Sequence, residues 1–102
     1  MTVDLYANEV VINAGDTIQM VKDSKISGKL IVTNQRIYFK TINSEESTHN
    51  LEILPEDILE IIYFGNGIFS TKGLNVVTSN GNCLSFPLKK RDEIGKLINA
   101  MY

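Results

Sequence analysis

The chain has 102 residues, of which 43% are hydrophobic and 22% charged, a balance typical of one globular domain over residues 1–102. Intrinsic disorder does not fit that balance. Ten basic and twelve acidic side chains leave a formal net charge of −2. Proteins that bind duplex nucleic acid usually carry a basic excess, so we expect no nucleic-acid partner. The single cysteine, Cys83, cannot form an intrachain disulfide and is expected to fill space as a small apolar side chain in a strand.

The sequence contains no segment typical of a signal peptide or a membrane span. It does not begin with a charged leader and a long apolar stretch, and its uninterrupted apolar runs are three or four residues long. A spanning helix needs about 20 such residues. We therefore expect a cytoplasmic protein, with peripheral contact as the one form of membrane association left open.

Short alternating segments in the first half of the chain predict β-strands. Residues 17–22, 29–33 and 36–40 each alternate apolar and polar side chains, the pattern of a strand with one buried face. Asn34 and Gln35 separate the second segment from the third, and Asn tolerates the positive φ that a two-residue hairpin loop uses. The stretch GKLIVTNQRIYF is therefore predicted to form a hairpin.

The second half of the chain continues the β pattern. Residues 58–64, ILEIIYF, are rich in β-branched and aromatic side chains and predict a buried strand. Residues 75–79 and 83–87 flank Asn80 and Gly81, a dipeptide that is strongly typical of a hairpin turn.

The period of the pattern changes near the C-terminus. Ile94, Leu97, Ile98 and Met101 are spaced at i, i+3, i+4 and i+7, which predicts an amphipathic α-helix. A helix of this length is too short to be stable alone in water, so it must dock on the strands. Gly95 within it is expected to permit a close approach to the sheet.

Three stretches carry a resemblance to a known family: GKLIVTNQRIYF, LPEDILEI and LNVVTSNGNCLSFPLKKRDEIGKLI. They are similar to segments of GRAM and bacterial pleckstrin-homology-like (PH-like) domains. The resemblance implies a mainly β fold, a barrel of about seven antiparallel strands in two near-orthogonal sheets capped by a C-terminal helix. An OB-like barrel, or another small barrel with an attached helix, is the alternative.

No arrangement of residues predicts catalysis, a metal site or a cofactor. The single histidine, His49, lies in a polar segment and is expected at the surface. A metal site built on it would need further ligands at suitable spacing, and the sequence offers none. Gly65-Asn66-Gly67 lacks the Lys-Ser/Thr of a phosphate-binding loop. We therefore expect a binding module and not an enzyme.

One candidate site is basic and would bind the anionic headgroup of a membrane lipid. PH domains that bind lipid use basic residues around their first inter-strand loop, often ending in a basic-x-Arg pair. The candidate residues are Lys22, Lys25 and Lys29 around that loop, and Lys89, Lys90 and Arg91 before the predicted helix. Ile31 stands where the resemblance would place the Arg, and solvated surface lysines are the simpler interpretation.

The other candidate site is aromatic and would bind protein. Tyr63, Phe64, Ile68 and Phe69 combine aromatic and apolar side chains, the usual anchors of protein interfaces. Folding back over the barrel end is the alternative for them. The acidic balance and the missing Arg favour protein interaction or self-assembly over lipid binding. Arg36 is expected to be structural, packing or pairing across the hairpin.

Overall fold

A computed structural model describes residues 5–65 and 71–102 of the chain. In chain order the strands and the helix are β1 (Val11–Val21), β2 (Ser24–Thr33), β3 (Ile37–Thr41), β4 (Leu51–Ile53), β5 (Ile58–Phe64), β6 (Gly73–Thr78), β7 (Cys83–Pro87) and α1 (Arg91–Asn99). Short 3₁₀ helices at Ser44–His49 and Pro55–Asp57 precede β4 and β5. The expected fold class, mainly β with a C-terminal helix, is confirmed.

The strands form two antiparallel sheets, one with the order β1-β2-β3-β4 and the other with the order β5-β6-β7. The longest pairing joins β1 to β2, from Val11 opposite Thr33 to Val21 opposite Ser24. Within the described residues no backbone ladder joins β1 to β7. A side chain links the two strands instead: the Gln19 amide of β1 donates to the Ser85 carbonyl oxygen of β7.

One hydrophobic core lies between the two sheets and the helix. It contains Leu30, Val32, Ile37 and Phe39 from the first sheet, Leu74, Val76 and Phe86 from the second, and Ile94 and Ile98 from α1. The rings of Phe39 and Phe86 join the two sheets, with centroids 6.1 Å apart. Burying Ile94 and Ile98 contributes about 3–6 kcal/mol before the entropy of ordering them is subtracted. The predicted apolar stripe of the helix is confirmed.

The β2–β3 hairpin is confirmed, but its loop is built differently from the expectation. Neither Asn34 nor Gln35 has a positive φ. Instead, the Thr33 hydroxyl accepts hydrogen bonds from the backbone N–H groups of Gln35 (3.1 Å) and Arg36 (3.0 Å). This side-chain turn replaces the left-handed backbone that a primed turn requires.

The β6–β7 hairpin is also confirmed. Thr78 N donates to the carbonyl oxygen of Asn82 (2.9 Å), which closes a three-residue loop. Gly81 takes a φ of +90°, a conformation that glycine adopts without strain. The Asn80-Gly81 signal therefore marks the turn, and the loop is one residue longer than a two-residue turn.

Two burial predictions are wrong. In β5 Ile58 is buried and Ile61 packs against the core, but Leu59, Ile62 and Tyr63 are 60%, 44% and 40% exposed. Ile62 alternates with Ile61 and faces away from the core, and Leu59 lies at a bulge between Ile58 and Glu60. A high β-propensity predicts that a segment forms a strand, but it does not predict how deeply the side chains of that strand are buried. Cys83 lies in β7 as expected but is exposed, so it does not fill the core.

Candidate functional site

The outer strand β5 presents an exposed apolar edge, which we call the β5 edge and define by Leu59, Ile62 and Tyr63. Among the described strands β5 pairs with β6 alone, so one side of its backbone faces away from the sheet. On that side the backbone N–H of Ile61 donates to the Tyr102 hydroxyl (3.1 Å). One backbone group of the edge is therefore covered by a side chain.

Tyr63 is shared between the β5 edge and the helix. Gly95 of α1 lies against its ring, and a Cβ at Gly95 would come within 2.5 Å of Tyr63 Cε1 and 2.6 Å of Cζ. The guanidinium of Arg91 lies 5.4 Å from the ring centroid. The close approach expected at Gly95 is confirmed, and 40% of Tyr63 remains exposed.

Phe64, another predicted interaction residue, is placed less openly than Tyr63. Phe64 is half-buried, and its ring covers Gly73 of the neighbouring strand, where a Cβ would lie 2.5 Å from Phe64 Cζ. Ile68 and Phe69 lie outside the described residues. The sequence interpretation missed Leu59 and Ile62, although Glu60 within the run ILEIIYF is a charge that indicates a solvent-facing side of the strand.

Lys22, Lys25 and Lys29, the first predicted basic group, lie at or near the β1–β2 turn. Lys22 and Lys25 are exposed, and Lys22 has a φ of +55° in the turn. Lys29 lies further along β2, where its Nζ is 3.5 Å from an Asp16 carboxylate oxygen. Since both side chains are well exposed, this ion pair contributes little to stability.

Lys89, Lys90 and Arg91, the second predicted basic group, lie where β7 leads into α1. Lys90 Nζ donates to the Ala14 carbonyl oxygen (3.4 Å). Arg91 Nη1 donates to the carbonyl oxygens of Phe64 (2.9 Å) and Gly65 (3.0 Å), which ties the helix to the end of β5. Lys22 lies about 26 Å along the chain from Ala14, so Lys22 and Lys90 do not share a patch, whereas Lys29 lies opposite Asp16, two residues from Ala14. Anion binding by either group stays a prediction.

A groove of about 750 Å³ lies along the seam between β1 and β7, and we call it the seam groove. Its lining residues are Asp16, Thr17, Ile18, Ser27, Gly28, Ile42, Thr71, Lys72, Pro87, Leu88 and Lys89. Two hydrogen bonds cross the seam outside the groove. The Gln19 amide bonds the Ser85 carbonyl oxygen beyond one end, and Lys90 Nζ bonds the Ala14 carbonyl oxygen beyond the other. The Thr17 hydroxyl is buried and has no hydrogen-bond partner among residues 5–65 and 71–102.

A buried ionic cluster, which we call the Arg36 cluster, holds the N-terminal segment against the first sheet. Arg36 donates from Nε to Glu9 Oε2 (2.9 Å) and from Nη2 to Glu9 Oε1 (3.1 Å). It also pairs with Glu52 of β4. The rings of Tyr6 and Tyr38 lie 4.0 Å and 5.0 Å from its guanidinium carbon. The structural role expected for Arg36 is confirmed, with Tyr38 of the hairpin against it, although its ion-pair partners Glu9 and Glu52 lie outside the hairpin.

Hydrogen bonds keep the Arg36 cluster charged. The Arg36 guanidinium lowers the pKa of Glu9 to about 2 against the opposing effect of burial, and the Thr33 hydroxyl assists it. The pKa of Arg36 is raised, chiefly by Glu9. The pKa of Glu52 is lowered, first by a hydrogen bond from the Tyr6 hydroxyl. Because its charges are paired, the cluster is suited to stability and not to proton transfer.

His49 is half-buried at the end of a 3₁₀ helix. Over residues 5–65 and 71–102 no group of three or more His, Cys, Asp or Glu side chains is placed to hold a metal ion. In that same part of the chain, no helix has the length and apolar character needed to cross a membrane.

Comparisons with known proteins give structural neighbours. No family model and no curated protein matches the chain. The C-terminal domain of an unknown protein from Leishmania infantum superposes with a TM-score of 0.75 at 15% identity, covering 93% of this chain and 85% of that one. The Vps36 N-terminal PH domain superposes with a TM-score of 0.66 at 16% identity, covering 94% and 83%. The fold is PH-like. Identities this low show the fold alone, and membership of the GRAM family stays a prediction.

Proposed function

We propose that this PH-like domain is a non-enzymatic binding module that recruits a protein through the β5 edge. The observation that carries the proposal is the exposure of Leu59, Ile62 and Tyr63 on an outer strand. Large apolar side chains that stay in water beside an unpaired backbone are typical of interaction surfaces.

The geometry of the β5 edge suits an extended segment of a partner. An outer strand can accept another strand, whose main-chain hydrogen bonds supply affinity while side chains supply selectivity. Glu60 is the one charged residue of β5, so a mainly apolar strand would meet little electrostatic resistance. A carbonyl oxygen of the partner strand would replace the Tyr102 hydroxyl as the acceptor of the hydrogen bond from Ile61 N. A second copy of β5 or a strand of another protein fits this description.

The test introduces charge at the edge and compares it with charge placed elsewhere. We expect Leu59→Lys with Ile62→Lys to abolish self-association in light scattering over a concentration series. The matched control is Leu5→Lys with Ile42→Lys, two apolar positions outside the strands that are 47% and 63% exposed, against 44% and 60% for Ile62 and Leu59, and it should leave association unchanged.

If the wild type is monomeric, the same pair of variants decides between a foreign partner and none. Peptides selected on the wild-type protein from a random display library should lose binding to the edge variant and keep binding to the control. Selected peptides that bind both variants equally, or no selection above background, would contradict the proposal.

An anionic membrane lipid is the second candidate partner, and the exposure of Lys22 and Lys25 at the β1–β2 turn supports it. Under this proposal the protein is cytoplasmic and touches the membrane peripherally. It should sediment with phosphatidylglycerol vesicles at low salt and not with phosphatidylcholine vesicles. Lys22→Glu with Lys25→Glu should abolish sedimentation, whereas Lys96→Glu on the exposed side of α1 should not. Failure to sediment at low salt would remove the lipid proposal.

A further inference from the structure

The seam groove has no role in the protein interaction proposed above, and its chemistry differs from that of the β5 edge. We propose that the seam groove binds a single-chain amphipathic anion taken from solution, with the chain along the groove and a carboxylate or phosphate head at Lys72 and Lys89. The groove's apolar walls, cationic rim and unpartnered hydroxyl each support part of this assignment.

The size and lining of the groove suit an apolar chain. Its volume of about 750 Å³ lies within the range of small-molecule pockets in proteins. Ile18, Ile42, Pro87 and Leu88 contribute apolar surface to it. Pockets of this kind hold a ligand's apolar body and orient it through a few polar groups.

The rim of the groove carries cations for the head of the ligand. Leu88 N donates to the Lys72 carbonyl oxygen (2.9 Å), and this bond brings Lys72 beside Lys89. Both lysines are exposed, and none of the ion pairs formed in the described part of the chain involves either of them. The one acidic residue of the lining, Asp16, pairs with Lys29. The rim is therefore electrostatically complementary to an anion.

Thr17 supplies a second, independent observation. Its side chain lines the groove at 7% exposure, and its hydroxyl has no hydrogen-bond partner among the described residues. A buried hydroxyl without a partner destabilises a fold, so such groups are uncommon and call for an explanation. If the Thr17 side chain turns toward the groove, a carboxylate or phosphate oxygen there would accept the hydrogen bond that this hydroxyl does not make among the described residues.

The seam explains why a groove can persist at this position. No ladder joins β1 to β7, so a ligand between them would displace no backbone hydrogen bonds of either sheet. The Gln19–Ser85 and Lys90–Ala14 contacts hold the two sides together beyond the groove. A chain lying along an open groove with its head at the rim suits a single molecule more closely than a lipid whose chains remain in a bilayer.

The first experiment is an NMR titration of the ¹⁵N-labelled full chain with decanoate and decyl phosphate below their micelle concentrations. We expect saturable shifts of the amides of Thr17, Gly28, Lys72 and Lys89. Decan-1-ol has the same chain without the charge, and it should bind at least about tenfold more weakly, since hydrogen bonds to charged groups are the stronger ones.

Two variants test the head site, with a control of equal charge. Lys72→Glu with Lys89→Glu should weaken decanoate binding by at least about tenfold, whereas Lys22→Glu with Lys25→Glu should not. Thr17→Val should raise the melting temperature of the free protein and still weaken binding of decanoate, because it removes the unpartnered hydroxyl that the ligand would satisfy. A purely structural Thr17 would not produce the second effect.

Several results would overturn the inference. They are the absence of saturable shifts, equal affinity for decan-1-ol and decanoate, and equal loss of binding in both lysine pairs. Binding to phosphatidylglycerol vesicles without binding to decanoate or decyl phosphate would assign the lysines to a membrane surface instead. Comparing decanoate with decan-1-ol on the wild-type protein needs no variant. It therefore tests whether the groove requires an anionic head even if a substitution prevents folding.

Discussion

The Arg36 cluster places a guanidinium and the Glu9 carboxylate in the interior of the protein, whereas the β5 edge leaves Leu59 and Ile62 in water. In the first region each buried charge meets an opposite charge within the chain. In the second, the apolar side chains of Leu59 and Ile62 remain 60% and 44% exposed. Buried charges that are paired within the chain have a structural role, because removing one would leave the other buried alone. Apolar side chains that stay exposed point instead to a partner outside the chain.

The largest expected effect comes from breaking the Arg36 cluster. Arg36→Ala leaves the Glu9 carboxylate buried without its cation, and we expect the free energy of unfolding to fall by about 3–5 kcal/mol. Urea denaturation followed by circular dichroism measures it. Lys96→Ala on the exposed side of α1 is the control and should change the value by less than about 0.5 kcal/mol. Equal effects of the two substitutions would show that the cluster does not stabilise the fold.

The pH dependence of stability tests the same region without removing its cation. The pKa of Glu9 is about 2 in the folded protein against an ordinary 4.5, so the unfolded chain takes up a proton first as pH falls. The stabilisation is complete above about pH 4.5 and is lost as the pH falls from there to about 2. Glu9→Gln lacks this titration, so its free energy of unfolding should fall less steeply across that window in urea titrations. Parallel profiles for the two proteins would contradict the assignment.

A smaller effect is expected where the β5 edge meets the helix. Gly95→Ala places a methyl group against the Tyr63 ring, and we expect a loss of about 1–3 kcal/mol although alanine favours helix. In Tyr63→Ala the ring is absent, so adding Gly95→Ala to that variant should cost little or stabilise it. A double-mutant cycle from urea denaturation measures the coupling. Additive effects would show that the ring and the glycine do not constrain each other.

The smallest effect on stability is expected at the exposed part of the β5 edge. Leu59→Lys and Ile62→Lys replace side chains that are 60% and 44% exposed, so each should change the free energy of unfolding by less than about 1 kcal/mol, with the smaller change at Leu59. Leu74→Ala in the adjacent strand, fully buried, should cost about 2–5 kcal/mol. Equal losses at exposed and buried positions would remove the contrast between the edge and the core.

Local patterns in the sequence predicted most of the strand residues, both hairpins and the docked helix, since these depend on the spacing of apolar side chains and on turn residues. They missed residues 11–16 of β1, where apolar and polar side chains do not alternate regularly. They did not predict which strand is outermost, because the run ILEIIYF has the same composition in the middle of a sheet and at its edge. The sequence did not predict the turn in which the Thr33 hydroxyl accepts backbone hydrogen bonds, because Asn34 at the first loop position favours a turn with positive φ.

The sites depended on contacts that sequence spacing does not encode. Glu9 and Arg36 are 27 positions apart, and their pairing requires the folded first sheet. The seam groove requires the approach of β1 to β7, which no local motif specifies. Of the candidate residues named from sequence, Tyr63 is part of an exposed surface, and Arg91 was recognised as basic without its role in holding the end of β5.

The β2–β3 turn also fastens the chain before β1. Asn34 accepts from Val10 N (2.8 Å) and donates to the Asn8 carbonyl oxygen (3.1 Å), and Gln35 donates to that of Ala7 (2.9 Å). Peeling this segment away would also separate Glu9 from Arg36, so its local opening costs more than that of a segment held by exposed hydrogen bonds alone. We therefore expect the hydrogen-bonded amides of Glu9 and Val10 to exchange more slowly than those of an untethered segment, and Arg36→Ala to speed their exchange.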